Sequence, residues 1–360
     1  MAHNIARMQS RISGLGVSLR PHVKTAKSLP VAQAQLAAGA RGITVSTLKE
    51  AEVFFAAGIS DILYAVCIVA PKLAQARALR EQGCGLKVVV DSVAAAQAVV
   101  ASGHAFEVLI EIDTDGHRAG VKPESGLLLD IARTLQDGGV VLTGVMTHAG
   151  ASYECHTPQA LRAMAEQERS RCVHAAERLR AAGLPCPVVS VGSTPTALSA
   201  EQLQGVTEMR AGVYVFQDLV MVGVGVCTVD ELALSVLATV IGHQLEKGWV
   251  LVDAGWMAMS RDRGTQAQAV DQGYGLVCGE DGTPVADLIM SGANQEHGIL
   301  SWRRGQAGVQ VDAKLEQRFP VGTRLRILPN HACATAAQFP HYDLLRADGS
   351  TARWPRFHGW

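Results

Sequence analysis

Short apolar runs alternate with longer Ala-rich stretches from about residue 17 to about residue 235. The runs predict buried strands, and the periodic stretches between them, several of which end at glycine, predict helices. The predicted strands are Ser18 to Val23, Gly42 to Val45, Ile62 to Ala65, Leu86 to Asp91, Phe106 to Ile112, Val141 to Thr147, Val188 to Val191 and Thr207 to Arg210. The predicted helices are Val31 to Ala38, Thr47 to Ala57, Pro71 to Gln82, Val93 to Ser102, Glu124 to Gln136 and Pro158 to Ala182. About eight such units predict a (β/α)8 barrel, an α/β fold whose chemistry lies at the carboxyl ends of the strands.

The alternation of strand and helix patterns ends after about Val226, where strand patterns follow one another without long helices between them. This change predicts a second, β-rich domain, so we assign residues 1–226 to the barrel and residues 227–360 to the β-rich domain. The strand patterns of the second domain are Leu232 to Ile241, Trp249 to Val252, Val285 to Ser291 and Arg324 to Leu328.

Composition excludes several classes of protein. With 32 Lys+Arg, 33 Asp+Glu and a formal net charge of -1, the chain has no basic field for nucleic acid. Its apolar runs are shorter than the roughly 20 residues of a membrane span. The start, Met1 to Met8, lacks a signal pattern, and eight scattered cysteines do not form a disulfide framework. We therefore expect a cytoplasmic protein that binds neither nucleic acid nor membranes.

The first candidate for chemistry is the segment Arg20 to Lys27, at the end of the first predicted strand. In a barrel, Lys24 would emerge where active-site groups emerge. A lysine of limited hydration loses part of its preference for the charged form, and its amine becomes available for a Schiff base. The alternative is an ordinary pair of surface lysines, Lys24 with Lys27.

Two glycine-containing turns follow the last two predicted strands. Gly192, Ser193 and Thr194 follow the seventh strand, and Gly212 and Tyr214 follow the eighth. Barrels often bind phosphate here through backbone amides and hydroxyl groups. A helix-capping turn is the alternative, because Ser and Thr before Pro begin helices for structural reasons alone.

The third candidate is the pair His331 and Cys333 in the β-rich domain. Alternate residues of an extended segment point the same way, so these two side chains would present nitrogen and sulfur to one metal ion. A buried cysteine beside a hydrogen-bonded histidine is the alternative.

Together these segments resemble the fold-type III pyridoxal-phosphate enzymes, in the group of D-serine dehydratases and D-threonine aldolases, over nearly the whole chain. The family pattern Pro-His-x-Lys-Thr-x-Lys is matched by Pro21 to Lys27, and its His-x-Cys or His-x-Asp metal motif by His331 and Cys333. The resemblance thus implies the alanine racemase type of barrel with a β-rich domain, with Lys24 carrying the cofactor.

The resemblance also implies roles for the other site residues. Gly192, Ser193 or Thr194, Gly212 and Tyr214 would contact the phosphate of pyridoxal 5'-phosphate. Arg118 and Tyr153 would lie beside the cofactor ring, and Arg210 occupies the place where alanine racemase relatives put an arginine against the pyridine nitrogen. His331 and Cys333 would bind a divalent metal, zinc first, with manganese, cobalt or magnesium as alternatives.

The implied reaction is β-elimination of water from a D-3-hydroxy amino acid, with Lys24 as general base and the metal polarising the hydroxyl group. For D-threo-3-hydroxyaspartate the products would be oxaloacetate and ammonia. Retro-aldol cleavage of the D-threonine aldolase type and D-serine dehydration are the alternatives. A cofactor-binding barrel without catalysis and a phosphate-binding barrel without pyridoxal phosphate stay open as other classes.

Two departures from the family pattern bear on these expectations. D-serine dehydratases usually carry His where this chain has Ala26, which opens space near Lys24 and favours another substrate. Relatives also have an extra N-terminal strand of the β-rich domain ahead of the helix that begins near Asn4, which puts the integrity of that domain in question. The resemblance further implies a homodimer.

Overall fold

The computed structural model describes residues 1–303, 314–346 and 348–360. The chain divides into two compact units. The first, called the barrel unit, comprises Ala2–Tyr214 and Asp343–Trp360. The second, called the β unit, comprises Val215–Tyr342 with Met1.

A parallel sheet forms the centre of the barrel unit. Its strands are β1 (Ser18–Pro21), β2 (Ile43–Val45), β3 (Asp61–Cys67), β4 (Gly85–Val90), β5 (Glu107–Glu111), β6 (Val141–Met146), β7 (Val188–Val191) and β8 (Glu208–Ala211). Neighbours pair in the order β1-β8-β7-β6-β5-β4-β3-β2. A parallel bridge between His22 and Thr44 joins the two end strands, β1 and β2. The predicted barrel of about eight parallel strands is confirmed.

Helices connect these strands. They are α1 (Ala2–Gly14), α2 (Leu29–Ala37), α3 (Leu48–Ala56), α4 (Ala70–Glu81), α5 (Val93–Ala101), α6 (Leu127–Asp137), α7 (Pro158–Ala181) and α8 (Thr194–Ser199). The side chains of Thr47, Ser92 and Thr157 accept backbone N–H bonds at the starts of α3, α5 and α7. These caps satisfy donors that the helix itself leaves unpaired. Helix α8 was not predicted because six residues are too few for a periodic pattern.

The β unit contains a closed antiparallel barrel of six strands. They are β9 (Val236–Gln244), β10 (Trp249–Val252), β11 (Gly275–Gly279), β12 (Pro284–Ala293), β13 (Gly298–Trp302) and β14 (Arg324–Pro329), and they pair in the order β10-β13-β12-β11-β14-β9. Alternate residues of β9, Val236, Ala238 and Val240, are buried in its core, as a strand with one inward face requires. The predicted β-rich domain is confirmed, although β11 and β13, five residues each, were missed. The helices of this unit are α9 (Leu219–Val224), α10 (Trp256–Met259), α11 (Leu315–Arg318) and α12 (Ala332–Ala336).

The last residues of the chain depart from the predicted domain limits of 1–226 and 227–360. A hairpin of β15 (His341–Leu345) and β16 (Thr351–Pro355) is followed by a coil, and residues from Asp343 onward belong to the barrel unit. Ser28 donates a hydrogen bond to the carbonyl of Pro355 (2.8 Å), and the Phe357 amide donates to the carbonyl of Lys27 (3.0 Å). Bonds between residues so distant in sequence leave no local pattern. Earlier in the chain, the division between the two units falls at 214/215.

All eight cysteines are free thiols. Within the described parts of the chain, no helix combines the length and the apolarity that crossing a membrane requires.

Candidate active site

Lys24 lies in the turn that follows β1, at the carboxyl end of the strand. Its neighbours Val23, Thr25 and Ala26 are buried, whereas Lys24 itself is exposed. The two lysines of the segment differ: Lys27 forms an ion pair with the buried Glu50 (3.2 Å). Lys24 makes no hydrogen bond or ion pair with any residue in the described ranges. The two lysines are therefore not an equivalent pair. Lys24 is exposed rather than of limited hydration, and its reactivity stays a prediction.

Two histidines lie near this lysine and are held neutral. Burial, together with the positive charges of Lys24 and Arg210, lowers the pKa of His22 well below its usual value. Burial likewise lowers the pKa of His148 to about 3. The Nδ1 atom of His148 lies 2.9 Å from the carbonyl oxygen of Gly192. Because a carbonyl only accepts, the ring proton of His148 is on Nδ1, and Nε2 is an acceptor.

The turns after β7 and β8 form a glycine-lined cradle. A Cβ atom on Gly192, whose φ is +141°, would lie 2.0 Å from the carbonyl oxygen of Arg210. One on Gly212 would lie 3.1 Å from the carbonyl oxygen of His22 and 3.2 Å from Thr25 Oγ1. Glycine lets both turns approach their neighbours this closely, because any side chain would collide there. Glycines and hydroxyl groups are of the kinds that bind phosphate, but the Gly192 amide already donates to Glu168 (2.9 Å), so the contact of these turns with the phosphate of the implied cofactor stays a prediction.

Hydroxyl groups connect this cradle to its surroundings. Ser193 caps α8 in a reciprocal capping box and lies 2.8 Å from the hydroxyl of Ser152. Thr194 Oγ1 accepts a hydrogen bond from the Tyr214 amide (3.2 Å), and the Tyr214 hydroxyl accepts one from Gln35 (2.9 Å). Ser193 therefore caps a helix, as the capping alternative predicts. The phosphate contact of the same residue stays a prediction.

The three remaining residues predicted around the cofactor occupy different surroundings. Arg118 is half exposed, with Nη2 3.6 Å from Oε1 of Glu111. The ring of Tyr153 lies 6.3 Å from that of His148, centroid to centroid. Arg210 is buried and donates to the Ser190 hydroxyl (2.7 Å) and to the carbonyl of Thr147 (2.5 Å). The roles of these three residues toward a cofactor stay predictions.

Glu168 of α7 is a site residue that sequence reasoning missed. Its carboxylate is 1% exposed, and Oε1 accepts N–H bonds from Ala149 (3.0 Å) and Gly192 (2.9 Å). Burial raises the pKa of this carboxyl group against these hydrogen bonds, which lower it. Gly192 is consequently held on both sides, by Glu168 at its N–H and by His148 at its carbonyl. A glutamate within an Ala- and Arg-rich helix gives no signal of such a role.

In the β unit, His331 and Cys333 converge differently from the expectation. His331 is extended and caps α12, whereas Cys333 lies in the first turn of that helix, so the expectation of alternate residues on an extended segment was wrong. Their side chains nevertheless meet: burial lowers the pKa of His331, but hydrogen bonds with Asp262 and Cys333 outweigh it and raise that pKa.

Two carboxylates support this pair. Asp262 Oδ2 lies 2.6 Å from Nδ1 of His331, and a carboxylate at one ring nitrogen is the usual way in which a metal-binding histidine is oriented. Asp218 is buried; its Oδ2 accepts the Ala332 N–H (2.9 Å), and its Oδ1 accepts the Met221 N–H (3.0 Å). Burial raises the pKa of Asp218 to about 6. Sequence reasoning assigned neither aspartate a role.

An imidazole nitrogen and a thiol are ligands that a divalent metal accepts, and Asp262 orients the imidazole. Within the described ranges, no group of three or more His, Cys, Asp and Glu side chains is arranged to hold a metal ion. The described chain therefore offers a pair of ligands, and the remaining coordination positions would be open to water or substrate.

Family models match both parts of the chain. The model "Alanine racemase, N-terminal domain" matches residues 1–219, and "Putative serine dehydratase domain" matches residues 233–345. The chain therefore belongs to the pyridoxal-phosphate-dependent family that joins an alanine racemase-type barrel to a serine dehydratase domain, which confirms the predicted resemblance.

Curated relatives indicate which members of this family the chain resembles. D-threo-3-hydroxyaspartate dehydratase from Delftia sp. (strain HT23) is 66% identical over 365 residues, covering 100% of this chain and 95% of that protein. D-serine dehydratase from Dictyostelium discoideum is 30% identical, covering 96% and 91% of the two chains. D-threonine aldolase from Arthrobacter sp is also 30% identical, covering 92% and 83%.

Solved structures agree with this placement. The Delftia sp. HT23 D-threo-3-hydroxyaspartate dehydratase matches with a TM-score of 0.97 at 65% identity, over 100% of this chain and 95% of that one. A cysteine-to-alanine mutant of D-threo-3-hydroxyaspartate dehydratase, described as metal-free, matches with the same TM-score of 0.97. Alanine racemase from Clostridium difficile matches at 0.66 with 13% identity, covering 98% and 95% of the two chains, which shows the fold alone.

Proposed function

We propose that this protein is a pyridoxal-phosphate-dependent dehydratase that removes water from D-threo-3-hydroxyaspartate by β-elimination, with oxaloacetate and ammonia as final products. The observation that carries the proposal is Lys24, an exposed amine that has no partner among the described residues and lies beside the cradle of Gly192 and Gly212. The 66% identity to the Delftia dehydratase over the whole chain supports the choice of substrate.

Lys24 has two tasks in this reaction. Its Nζ would hold the cofactor at the aldehyde carbon, and in the complex with substrate the free Lys24 amine would accept the α-proton. The bound cofactor supplies an electron sink for the carbanion. His22 and His148 stay neutral because of burial, so neither of them supplies a competing proton near Lys24.

The phosphate would be held by Gly192, Ser193, Thr194, Gly212 and Tyr214. Hydroxyl contacts from Ser152 to Ser193 and from Gln35 to Tyr214 keep this cradle in place. We assign Arg118 and Tyr153 to positions beside the ring. For Arg210 we retain contact with the pyridine nitrogen as a proposal, beside the bonds that it donates to Ser190 and Thr147.

His331 and Cys333 would hold a divalent metal, which supplies a Lewis acid for departure of the hydroxyl group. A thiolate ligand favours zinc over manganese, cobalt or magnesium, because soft ligands prefer softer ions. Asp262 would orient the His331 ring, and Asp218 would fix the backbone between the two ligands. The metal-free cysteine mutant of the similar dehydratase supports this assignment.

Product analysis tests the reaction. The purified protein, loaded with pyridoxal 5'-phosphate and zinc, is given D-threo-3-hydroxyaspartate. We expect oxaloacetate and ammonia in equal amounts. Glycine and glyoxylate would instead show retro-aldol cleavage and overturn the proposal in favour of the aldolase alternative. Turnover of D-serine alone would favour the D-serine dehydratase alternative, and absence of any turnover with metal present would leave a cofactor-binding barrel without catalysis.

Ala26 is consistent with a substrate other than D-serine, because this buried residue occupies the position where D-serine dehydratases usually carry a histidine. We further propose that the protein is a cytoplasmic homodimer. Light scattering coupled to size-exclusion chromatography would test the dimer, since a mass of 38.1 kDa corresponds to one chain.

A further inference from the structure

Arg356 is a buried arginine without an acidic partner. It is 6% exposed, and its Nη1 contacts the carbonyl of Phe357 (3.4 Å) and Nδ1 of His358 (3.1 Å). Its Nε has no hydrogen-bond partner, and no carboxylate within residues 1–303, 314–346 and 348–360 pairs with the guanidinium. A buried and uncompensated charge is costly. The free edge, Nε with Nη2, is one that binds a carboxylate through two parallel hydrogen bonds.

The segment that carries this arginine lies at the Lys24 end of the barrel. Residues 355–360, which we call the C-terminal strap, bond to Ser28 and Lys27 through Pro355 and Phe357. Ser28 is the residue before α2. At the other end of the strap, the Trp360 ring lies 4.3 Å from Lys72 Nζ, in the first turn of α4.

In a βα barrel, helices begin at the carboxyl ends of the strands, which is the end where catalytic groups lie. The strap therefore lies at the rim of this end of the barrel, against the residue before α2 and the first turn of α4, and Phe357 bonds the segment that contains Lys24. Arg356 precedes Phe357, whose amide donates to the carbonyl of Lys27. Lys27 lies three residues after Lys24 in the chain.

Two other cations at this end of the barrel have acidic neighbours. Lys27 pairs with Glu50, and Arg118 lies close to Glu111. Arg356 differs from both of them, because its charge is buried and unmatched within the described ranges. An anionic ligand would supply the missing partner, and a substrate with a carboxylate on its side chain is such a ligand.

We propose that Arg356 binds the side-chain carboxylate of a dicarboxylic D-amino acid substrate and so determines specificity for it. The inference rests on the proposed function, since it deepens the substrate choice of the same site. D-threo-3-hydroxyaspartate has this second carboxylate and D-serine lacks it. A planar guanidinium recognises a carboxylate by two hydrogen bonds, which a lysine ammonium does not reproduce.

The test uses two ligands that lack a β-hydroxyl group and therefore cannot lose water: D-aspartate and D-alanine, which differ in the second carboxylate. Each is titrated into the holoenzyme while the absorbance of the cofactor is followed. We expect the wild type to bind D-aspartate more tightly than D-alanine. Arg356→Met should reduce this preference by about 10- to 100-fold, the range for hydrogen bonds to a charged group, and Arg356→Lys by less.

Arg353→Met is the matched control, because Arg353 is an exposed arginine of β16 that pairs with Asp343. It should leave the preference unchanged. Arg356→Lys keeps the test decisive if Arg356→Met does not fold. An equal loss for both ligands would overturn the proposal, because it would indicate contact with the common carboxylate or a structural role. An unchanged preference in the Arg356 variants would overturn it too. If the wild type binds D-aspartate and D-alanine but forms no oxaloacetate from D-threo-3-hydroxyaspartate, the proposed function fails independently of the proposal for Arg356.

Discussion

Glu168 provides the sharpest test of how the barrel unit holds its cofactor. Its Oε1 accepts the N–H groups of Ala149 and Gly192, and so connects the turn after β6 with the turn after β7. Glu168→Leu removes the oxygen that accepts both bonds and leaves two buried N–H groups without partners. At about 1–3 kcal/mol for each unsatisfied group, the loss is about 2–6 kcal/mol, shared between folding stability and cofactor affinity.

Release of the Gly192 amide should make the phosphate cradle mobile. We expect the dissociation constant for pyridoxal 5'-phosphate to rise at least about tenfold in Glu168→Leu, which corresponds to about 1.4 kcal/mol. Glu168→Gln retains an oxygen that accepts both N–H bonds, so the constant should change by less than about threefold, because neutral hydrogen bonds are weaker but still present.

The assay is titration of the apoprotein with the cofactor, followed by absorbance, with chemical denaturation as a parallel measurement of stability. Glu166→Gln is the matched control, since Glu166 lies on the same helix, is half exposed and pairs with Arg169. A Gln variant as damaged as the Leu variant would refute the reasoning, because the charge rather than the acceptor geometry would then be required. Unchanged cofactor affinity in Glu168→Leu would refute it as well.

Three further predictions concern single residues. Lys24→Ala should abolish the cofactor adduct that borohydride fixes, measured by mass mapping, and an adduct on another lysine would contradict its role. Cys333→Ala should lower metal affinity in a chelator competition while pyridoxal phosphate stays bound, and unchanged metal affinity would contradict its role as a ligand. His148 has a pKa of about 3 in the folded state against about 6.5 unfolded, so the unfolded state takes up the proton first and stability falls as pH drops below about 6.5. His148→Asn keeps a donor toward Gly192 and should lose less stability between pH 7 and pH 5 in denaturation experiments; an unchanged difference would contradict this.

Local pattern predicted much of the barrel unit. Strand β7 was predicted at its observed limits of Val188–Val191, and β4 and β6 within one residue, because strands buried on both faces are continuous apolar runs. Lys24 and the glycine turns were predicted because barrel chemistry lies at strand ends. Short elements such as α8 and β11 were missed, since six and five residues contain too few repeats of the helix or strand period to show a clear pattern.

The local pattern of residues predicts the succession of βα units, the change to a β-rich part, and the residues that carry the family motifs. Which side chains support those residues depends on contacts that form only in the folded chain. Glu168 meets Gly192, Asp262 meets His331, and the C-terminal strap meets Lys27. Each of these contacts joins residues far apart in the chain. Their geometry depends on how helices and strands pack, which no local spacing of residue types records.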